Sequence, residues 1–251
     1  MLRSGNRAIP RLPASAAPAP LYLRFADALV KSGFEGEVST RDGDRIVFAT
    51  DNSIFQVTPQ CVAFPKHHND VVRLMELAGT SAWKEIKLAA RGGGTGTNGQ
   101  SLTNGLVVDL SRHMNQILEI DPGQRCARVQ SGVVKDQLNL ALRPHGLFFA
   151  PELSTSNRAT IGGMVNTDAC GQGSVVYGKT RDHVLELHTV LLGGEALRSR
   201  PLDNDALEAG KSAPGRIGAV HRLLDKNLSA FLWARRLNNA LSTRLHKSLA
   251  E

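Results

Sequence analysis

The sequence is poor in cysteine, in aromatic residues and in long apolar runs. Its three cysteines, Cys61, Cys126 and Cys170, are scattered along 251 residues. There is no C-x-x-C pair and no even framework, so neither a zinc site nor a disulfide scaffold is indicated, and a reducing cytoplasmic compartment fits. No H-E-x-x-H occurs, and the adjacent His67 and His68 read as a surface helix entrance rather than as metal ligands. No apolar stretch nears the roughly 20 residues that a membrane-spanning helix needs, so no transmembrane segment is expected. Acidic residues are missing from the first 24 positions, which hold Arg3, Arg7, Arg11 and Arg24. Of the net charge of +7, the two ends carry +9 and the middle −2. That charge lies in tails rather than along a groove. With only 8 Phe, 2 Trp and 2 Tyr to stack on bases, nucleic acid is not expected as a partner.

What is present is apolar patterning sufficient for one large domain or two lobes, since 41% of residues are hydrophobic. Residues 1–20, rich in Arg, Ala and Pro, read as a disordered basic tail, with a transit peptide as the alternative. Residues 21–34 have helical spacing. Residues 36–58 read as a hairpin or meander, with Asp42-Gly43 as its turn and RIVFAT as a strand. Asn69 is expected to cap a helix that stops at Gly79. Strands are expected at 86–90, 106–110, 116–120, 125–132, 148–150 and 184–194, and a helix over 133–146. Residues 151–180 show little periodicity and are punctuated by glycine; a structureless stretch of that length is usually functional. A basic helical segment is expected over 217–249.

The densest glycine cluster is RGGGTGTNG at 91–99, directly after a strand. A Walker loop is excluded, because no lysine follows the glycines to meet a terminal phosphate. The string Gly94-Thr95-Gly96-Thr97-Asn98-Gly99 matches G-x-G-x-x-G. The dinucleotide-binding mechanism, however, requires a helix to start there, and QSLTNGLVVDL offers a turn and a strand instead. A third reading is a strand-to-strand loop whose own N–H groups wrap an anion. Successive glycines permit the φ signs of such a nest, and Thr95, Thr97 and Asn98 add neutral donors. A plain glycine-rich surface turn is the structural alternative.

ARGGGTGTNG, LVVDLSRHMNQILEID, VQSGVVKDQLNLALRPHG and PELSTSNRATIGGMVNTDACGQGSVVYGKTRDHVLELHTVLLGG occur in that order. Together they resemble the FAD-binding domain of the PCMH-type flavoproteins, the vanillyl-alcohol oxidase/p-cresol methylhydroxylase family. Within that family the wording is most similar to bacterial FAD-linked D-2-hydroxyacid dehydrogenases, which act on D-2-hydroxyglutarate or D-lactate. The resemblance covers about residues 55–200. It implies an α+β fold: a PCMH-type FAD-binding domain of two α/β lobes with FAD between them. It places Arg91, Gly92, Gly93, Gly94, Thr95, Gly96, Thr97 and Asn98 at the pyrophosphate. Pro151, Thr160, Ile161, Gly162 and Gly163 would pass the pyrophosphate and isoalloxazine. Asp168, Gly171, Gly173, Ser174, Tyr177 and Gly178 would line the flavin's other face, and Val184 to Val190 would form the strand beside the adenosine end. Thr160 and Ser174 also suit helix caps, Gly178 a turn terminator, Tyr177 core packing and Cys170 a small buried side chain. Because no His stands at the glycine loop, the flavin is expected to be non-covalent.

The chain departs from the family at its C-terminal end, where the domain is expected to be incomplete. It has no GSEGTLG-like closing strand, and residues 201–251 read as a basic helical tail outside the resemblance. Neither a substrate cap nor a cysteine-rich iron–sulfur region is visible. No catalytic base can be named, and His183 and His188 read as strand or edge residues. The expected function is the flavin part of a D-2-hydroxyacid dehydrogenase, with a cap-bearing or iron–sulfur chain as partner. The alternative is a non-catalytic flavin-binding module or gene remnant.

Overall fold

The computed structural model describes residues 16–227. The expected tail before residue 16 and the expected helix beyond residue 227 lie outside the described residues. The chain divides into two compact units, one ending at Val184 and the other beginning at Leu185.

The first unit opens with α1 (Pro20–Lys31), which has Pro at its first turn. Its apolar stripe buries Tyr22, Phe25, Ala26 and Leu29, and Gly33 follows it with φ +87°. Next come β1 (Glu37–Ser39), α2 (Asp42–Val47), β2 (Cys61–Phe64) and α3 (His68–Ala78). The segment 36–58 is therefore not a hairpin. Asp42-Gly43 starts a helix rather than a turn, and Asp42 and Asp44 in its first turn suit the positive helix N-terminus. The buried Arg45 secures α2 by donating from Nε to the Pro59 carbonyl at 2.8 Å and from Nη1 to Asp42 at 2.9 Å. The cap of α3 is His67, not Asn69: its Nδ1 accepts from the Asp70 N–H at 3.3 Å. His67 thus takes the helix-entrance role expected of that pair, and α3 ends at Gly79 as anticipated.

β3 (Leu88–Arg91) and β4 (Leu106–Asp109) complete a four-stranded sheet in the order β1-β2-β4-β3. β2, β4 and β3 run parallel, and β1 is antiparallel to β2. The central strands β2 and β4 are buried along their whole length, as expected of parallel strands covered on both faces. Cys61, Ala63, Leu106 and Val108 face α1 and α3 in the main core. Val62, Phe64 and Val107 point to the opposite face, with Phe48 packed against them. β3 is an edge strand and only half-buried.

The second lobe of this unit is built on the antiparallel hairpin β5 (Ile117–Asp121) and β6 (Cys126–Val129), followed by α4 (Lys135–Leu142). Val133, Leu138 and Leu142 form its core, with Ile117, Ile120, Ala127, Val129, Phe149 and Ile161 packed around them. A 3-10 turn at Arg143–His145 and a left-handed Gly146 end the helix. The expected strand 148–150 does not form. The Asn139 side chain occupies the Phe149 backbone instead: its Oδ1 accepts from Phe149 N–H at 2.7 Å. The segment 151–180 is not structureless either, because it holds α5 (Ile161–Thr167) and α6 (Ser174–Tyr177).

In the second unit, β7 (Leu187–Val190) and β8 (Ala196–Ser199) form a hairpin whose turn uses positive φ at Gly193 and Gly194. α7 (Asn204–Ser212) is capped by Asp203, whose Oδ1 accepts from Ala206 N–H at 2.8 Å. Residues 215–227 are helical, in line with the sequence expectation over that part. The Glu195 carboxylate accepts from the Arg216 and Ile217 N–H groups at that helix's start.

Candidate functional site

β3 and β4 are parallel neighbours joined by residues 92–105, a stretch without a helix. Parallel neighbours are usually linked through a covering helix. Here the chain leaves the C-terminal end of β3 as bare loop, the end of a strand where α/β sheets commonly bind ligands. The absence of a helix after the glycines agrees with the strand-to-strand reading and removes the G-x-G-x-x-G one.

Most of the loop's glycines make room for the protein's own chain. A β-carbon at Gly92 would stand 2.0 Å from Thr160 Oγ1, and one at Gly93 would stand 2.0 Å from the Arg158 carbonyl oxygen. The φ alternation expected of a nest is confined to fewer positions than the glycine count suggests. Of Gly92, Gly93, Gly94 and Gly96, only Gly94 has positive φ, at +61°. What remains of the nest is its donor supply. Among the described residues, no protein acceptor takes the N–H groups of Gly92, Gly93, Gly94, Thr95, Gly96 or Thr97. Asn98 N–H instead meets Gln100 Oε1 at 3.0 Å. The Gly94 carbonyl is tied down by Asn52 N–H at 3.0 Å. Six consecutive donors with no protein acceptor suit an anionic, oxygen-rich group such as a diphosphate.

The second glycine segment is locked in the same way. Thr160, 2% exposed, caps α5 and accepts from Gly163 N–H at 3.4 Å. Ile161 N–H and Gly162 N–H donate to the Val133 and Ser131 carbonyls, both at 2.8 Å, so these amides are already used inside the protein. The Ile161 side chain packs in the second-lobe core. A β-carbon at Gly162 would stand 2.6 Å from Ser131 Cβ, and one at Gly171 would stand 2.0 Å from the Glu152 carbonyl oxygen. Gly173 lies over the side chain of Glu152, the residue that follows the buried Pro151. Residues 151–160 therefore run from contact with Gly171 and Gly173 to contact with Gly92 and Gly93. The structure brings the two glycine segments together through them.

Asp168 ends α5 in a left-handed conformation, with φ 47°. Its carboxylate accepts from Arg181 N–H at 3.1 Å and pairs with Arg181 Nε at 3.2 Å. Thr180, fully buried, donates its hydroxyl to the Ala169 carbonyl at 2.7 Å. These contacts close the neck of a loop that carries Gly171, Gly173, Ser174, Tyr177 and Gly178. Within it, Ser174 Oγ accepts from Gly171 N–H at 2.9 Å, and Gly178 turns the chain with φ +80°. Thr160 and Gly178 thus fill their cap and turn roles, whereas Ser174 does not cap α6: Gly173 stands at that position and the Ser174 hydroxyl bonds back to Gly171. Tyr177 is not core: it is 48% exposed and meets Phe148 edge-on at 5.6 Å. Cys170 is exposed rather than buried. His183 sits in a 3-10 turn with Nε2 2.7 Å from the Tyr177 carbonyl, and His188 lies on β7 beside Glu186.

Arg91 lays its guanidinium against Gly94, where a β-carbon would stand 2.5 Å from Nη2. Its Nη2 donates to the Thr50 carbonyl at 2.8 Å, and its guanidinium lies over the Phe48 ring at 5.2 Å. Burial pulls its pKa down, while the Asp109 and Asp51 carboxylates push it up. Asp109 is 2% exposed, and burial raises its pKa against the pull of bonds from Arg112 and Ser111. Asn52, Ser131, Glu152 and Arg158 were absent from the sequence expectations. Each acts through backbone or through a neighbour distant in sequence, and no local pattern marks them.

Comparison with known proteins agrees with this geometry. The FAD binding domain family matches residues 59–200. D-2-hydroxyglutarate dehydrogenase of Pseudomonas putida is 63% identical over 207 residues, covering 82% of this chain and 21% of that protein. Glycolate oxidase subunit GlcD of Bacillus subtilis is 34% identical over 157 residues, covering 62% of this chain and 33% of that protein. Among solved structures, alkyldihydroxyacetonephosphate synthase superposes with a TM-score of 0.65 at 23% identity, over 74% of this chain and 36% of that one, which is a likeness of fold. The chain spans about a fifth of the length of the D-2-hydroxyglutarate dehydrogenases it matches.

Proposed function

The chain belongs to the family of FAD binding domains, with the α+β fold of PCMH-type flavoproteins, and from that premise we propose that it is the flavin-holding part of a D-2-hydroxyacid dehydrogenase. The observation that carries the reading is the run of amides from Gly92 to Thr97 at the end of β3, which have no protein acceptor among the described residues and are braced by Thr160 and Arg158. These amides, with Thr95, Thr97 and Asn98, would hold the diphosphate of FAD. Gly162 and Gly163 would let the ring system pass close to the backbone. The loop that carries Gly171, Gly173, Ser174, Tyr177 and Gly178, closed by Asp168, would cover the flavin's other face. Pro151, Thr160 and Ile161 position this wall through the contacts they make inside the protein. When bound, FAD would supply a two-electron acceptor for the hydride of a substrate Cα. The loop contains no His to tether the flavin, so binding is non-covalent.

The substrate site belongs, in this reading, to the part of the relatives that this chain does not span. A cap-bearing or iron–sulfur chain is the partner that would complete the enzyme. The three free thiols, Cys61, Cys126 and Cys170, support a cytoplasmic setting. Among the described residues, no helix is long and apolar enough to cross a membrane. The test is anaerobic: the FAD-loaded chain is mixed with D-2-hydroxyglutarate or D-lactate and its flavin absorbance followed. The oxidised spectrum is expected to persist with this chain alone, and to bleach once a cap-bearing partner is added. Bleaching by the chain alone would place the substrate site within it.

A further inference from the structure

The fold leaves a cluster of apolar side chains bare on the loop that follows α5. Val175 and Val176 of α6 are 97% and 78% exposed. Beside them Tyr177 meets Phe148, which is 58% exposed. Phe148 faces outward because its neighbours Leu147 and Phe149 are committed to the second-lobe core. A lone exposed valine needs no explanation, whereas a contiguous apolar group held on one element marks an interaction surface. The element is held by its own bonds. Val176 and Tyr177 N–H donate to the Gly173 carbonyl at 3.0 and 2.9 Å, and Gly178 N–H donates to the Ser174 carbonyl at 2.9 Å. The Tyr177 carbonyl lies 2.7 Å from His183 Nε2. With these backbone groups engaged, α6 offers a partner hydrocarbon rather than amides or a strand edge. Lys179, two residues on, makes no ion pair among the described residues and adds a positive charge beside the patch.

We propose that this face is the docking surface for the cap-bearing partner, which meets it with an apolar patch edged by carboxylates. The proposal rests on the flavin-holding reading, in which the same loop walls one side of the flavin and a substrate-bearing chain must come up to it. The Pseudomonas putida dehydrogenase holds the matching stretch, 63% identical, as 21% of a longer chain, so a large body of protein accompanies it there. Size argues in the same direction. Together the four side chains expose on the order of 500 Å², against roughly 800 Å² per partner in a standard interface. Two copies paired through this patch alone would fall short of that, whereas a larger partner extends beyond the patch.

The test is a chimera of the Pseudomonas putida dehydrogenase that carries this chain's sequence over the 207 matched residues, compared with the full chain alone, both loaded with FAD. Cys170, exposed at the start of the loop, reports on the face through its rate of alkylation by iodoacetamide, and the buried Cys61 checks the fold. Cys170 is expected to react about tenfold or more slowly in the chimera, because access governs the thiol's rate. Val175→Asp together with Val176→Asp should restore its reactivity there and slow the bleaching of the flavin by D-2-hydroxyglutarate. The same pair should leave the FAD uptake and thermal midpoint of the chain alone unchanged. Lys179→Glu, a milder change that removes only the charge, should raise Cys170 reactivity in the chimera about threefold. Equal Cys170 reactivity in the chimera and in the chain alone overturns the proposal, as does a doubly substituted chimera that stays protected. A chain that forms a dimer in light scattering, dispersed by the same two substitutions, assigns the face to a second copy and overturns it as well. Failure of the chain to take up FAD, with Cys170 still protected in the chimera, sinks the flavin reading and leaves the docking surface standing.

Discussion

Gly92 and Thr160 interlock: a β-carbon on Gly92 would stand 2.0 Å from Thr160 Oγ1 and 3.2 Å from Thr160 Cβ. Gly92→Ala must therefore push apart two segments that are far apart in sequence and meet at the glycine loop. Overpacking of this kind costs about 1–3 kcal/mol. The variant is expected to unfold at a lower temperature and to bind FAD at least tenfold more weakly. Thr160→Ala removes the oxygen in the way, so adding it to Gly92→Ala should return part of the loss. A double-mutant cycle in thermal unfolding measures that coupling. Strict additivity would mean that the two segments do not bear on each other.

The thiols differ sharply in environment. Cys61 lies in β2 at the core, and burial pushes its pKa up to about 12. Cys170 is exposed beside the second glycine segment, and Cys126 is half-buried. A thiol reacts as its thiolate. Limited alkylation of the folded chain near pH 8 should mark Cys170 first and leave Cys61 unmodified until denaturant is added, as read by peptide mass spectrometry. Early labelling of Cys61 would contradict the packing of the first lobe.

Acid should loosen the first sheet's edge strand through Glu37. Its carboxyl is held below the ordinary 4.5, first by the bond with His113 Nε2, then by Arg112. These contacts measure 2.7 Å and 2.9 Å. Because the folded pKa is depressed, the folded state binds fewer protons than the unfolded one between the two values. The stabilisation is present above the unfolded pKa and is lost as pH falls through the folded one. The pair is half exposed, which keeps the effect small. Thermal midpoints of the wild type and Glu37→Gln, compared between about pH 3 and pH 6, should differ most at the upper end and converge at the lower end. A constant difference would place Glu37's role in packing rather than in charge.

Elements whose signal is local were legible in the sequence. α1, α3 and α4 carry their apolar stripes and end at Gly33, Gly79 and Gly146. The glycine loop was correctly read as passing from strand to strand, because QSLTNGLVVDL contains no helix start. Features decided by distant partners were not legible. Asp42-Gly43 looks like a turn until Arg45 is anchored on Pro59. Residues 148–150 look like a strand, but their hydrogen bonds go to Asn139. The purpose of the glycines was also only half visible. Gly94 does need its left-handed backbone, whereas Gly92, Gly93, Gly162 and Gly171 make room for other parts of the chain. Arg158 carries no local signal, and only the fold sets its carbonyl against Gly93.

The proposed hold of the Gly92–Thr97 amides and their bracing segment on a non-covalent FAD can be tested directly. The most direct measurement is to purify the chain, saturate it with FAD, remove the excess and precipitate the protein with acid or heat. One FAD per chain is expected, all of it released into the supernatant. A folded chain that retains no FAD would contradict it, as would flavin that stays with the precipitate.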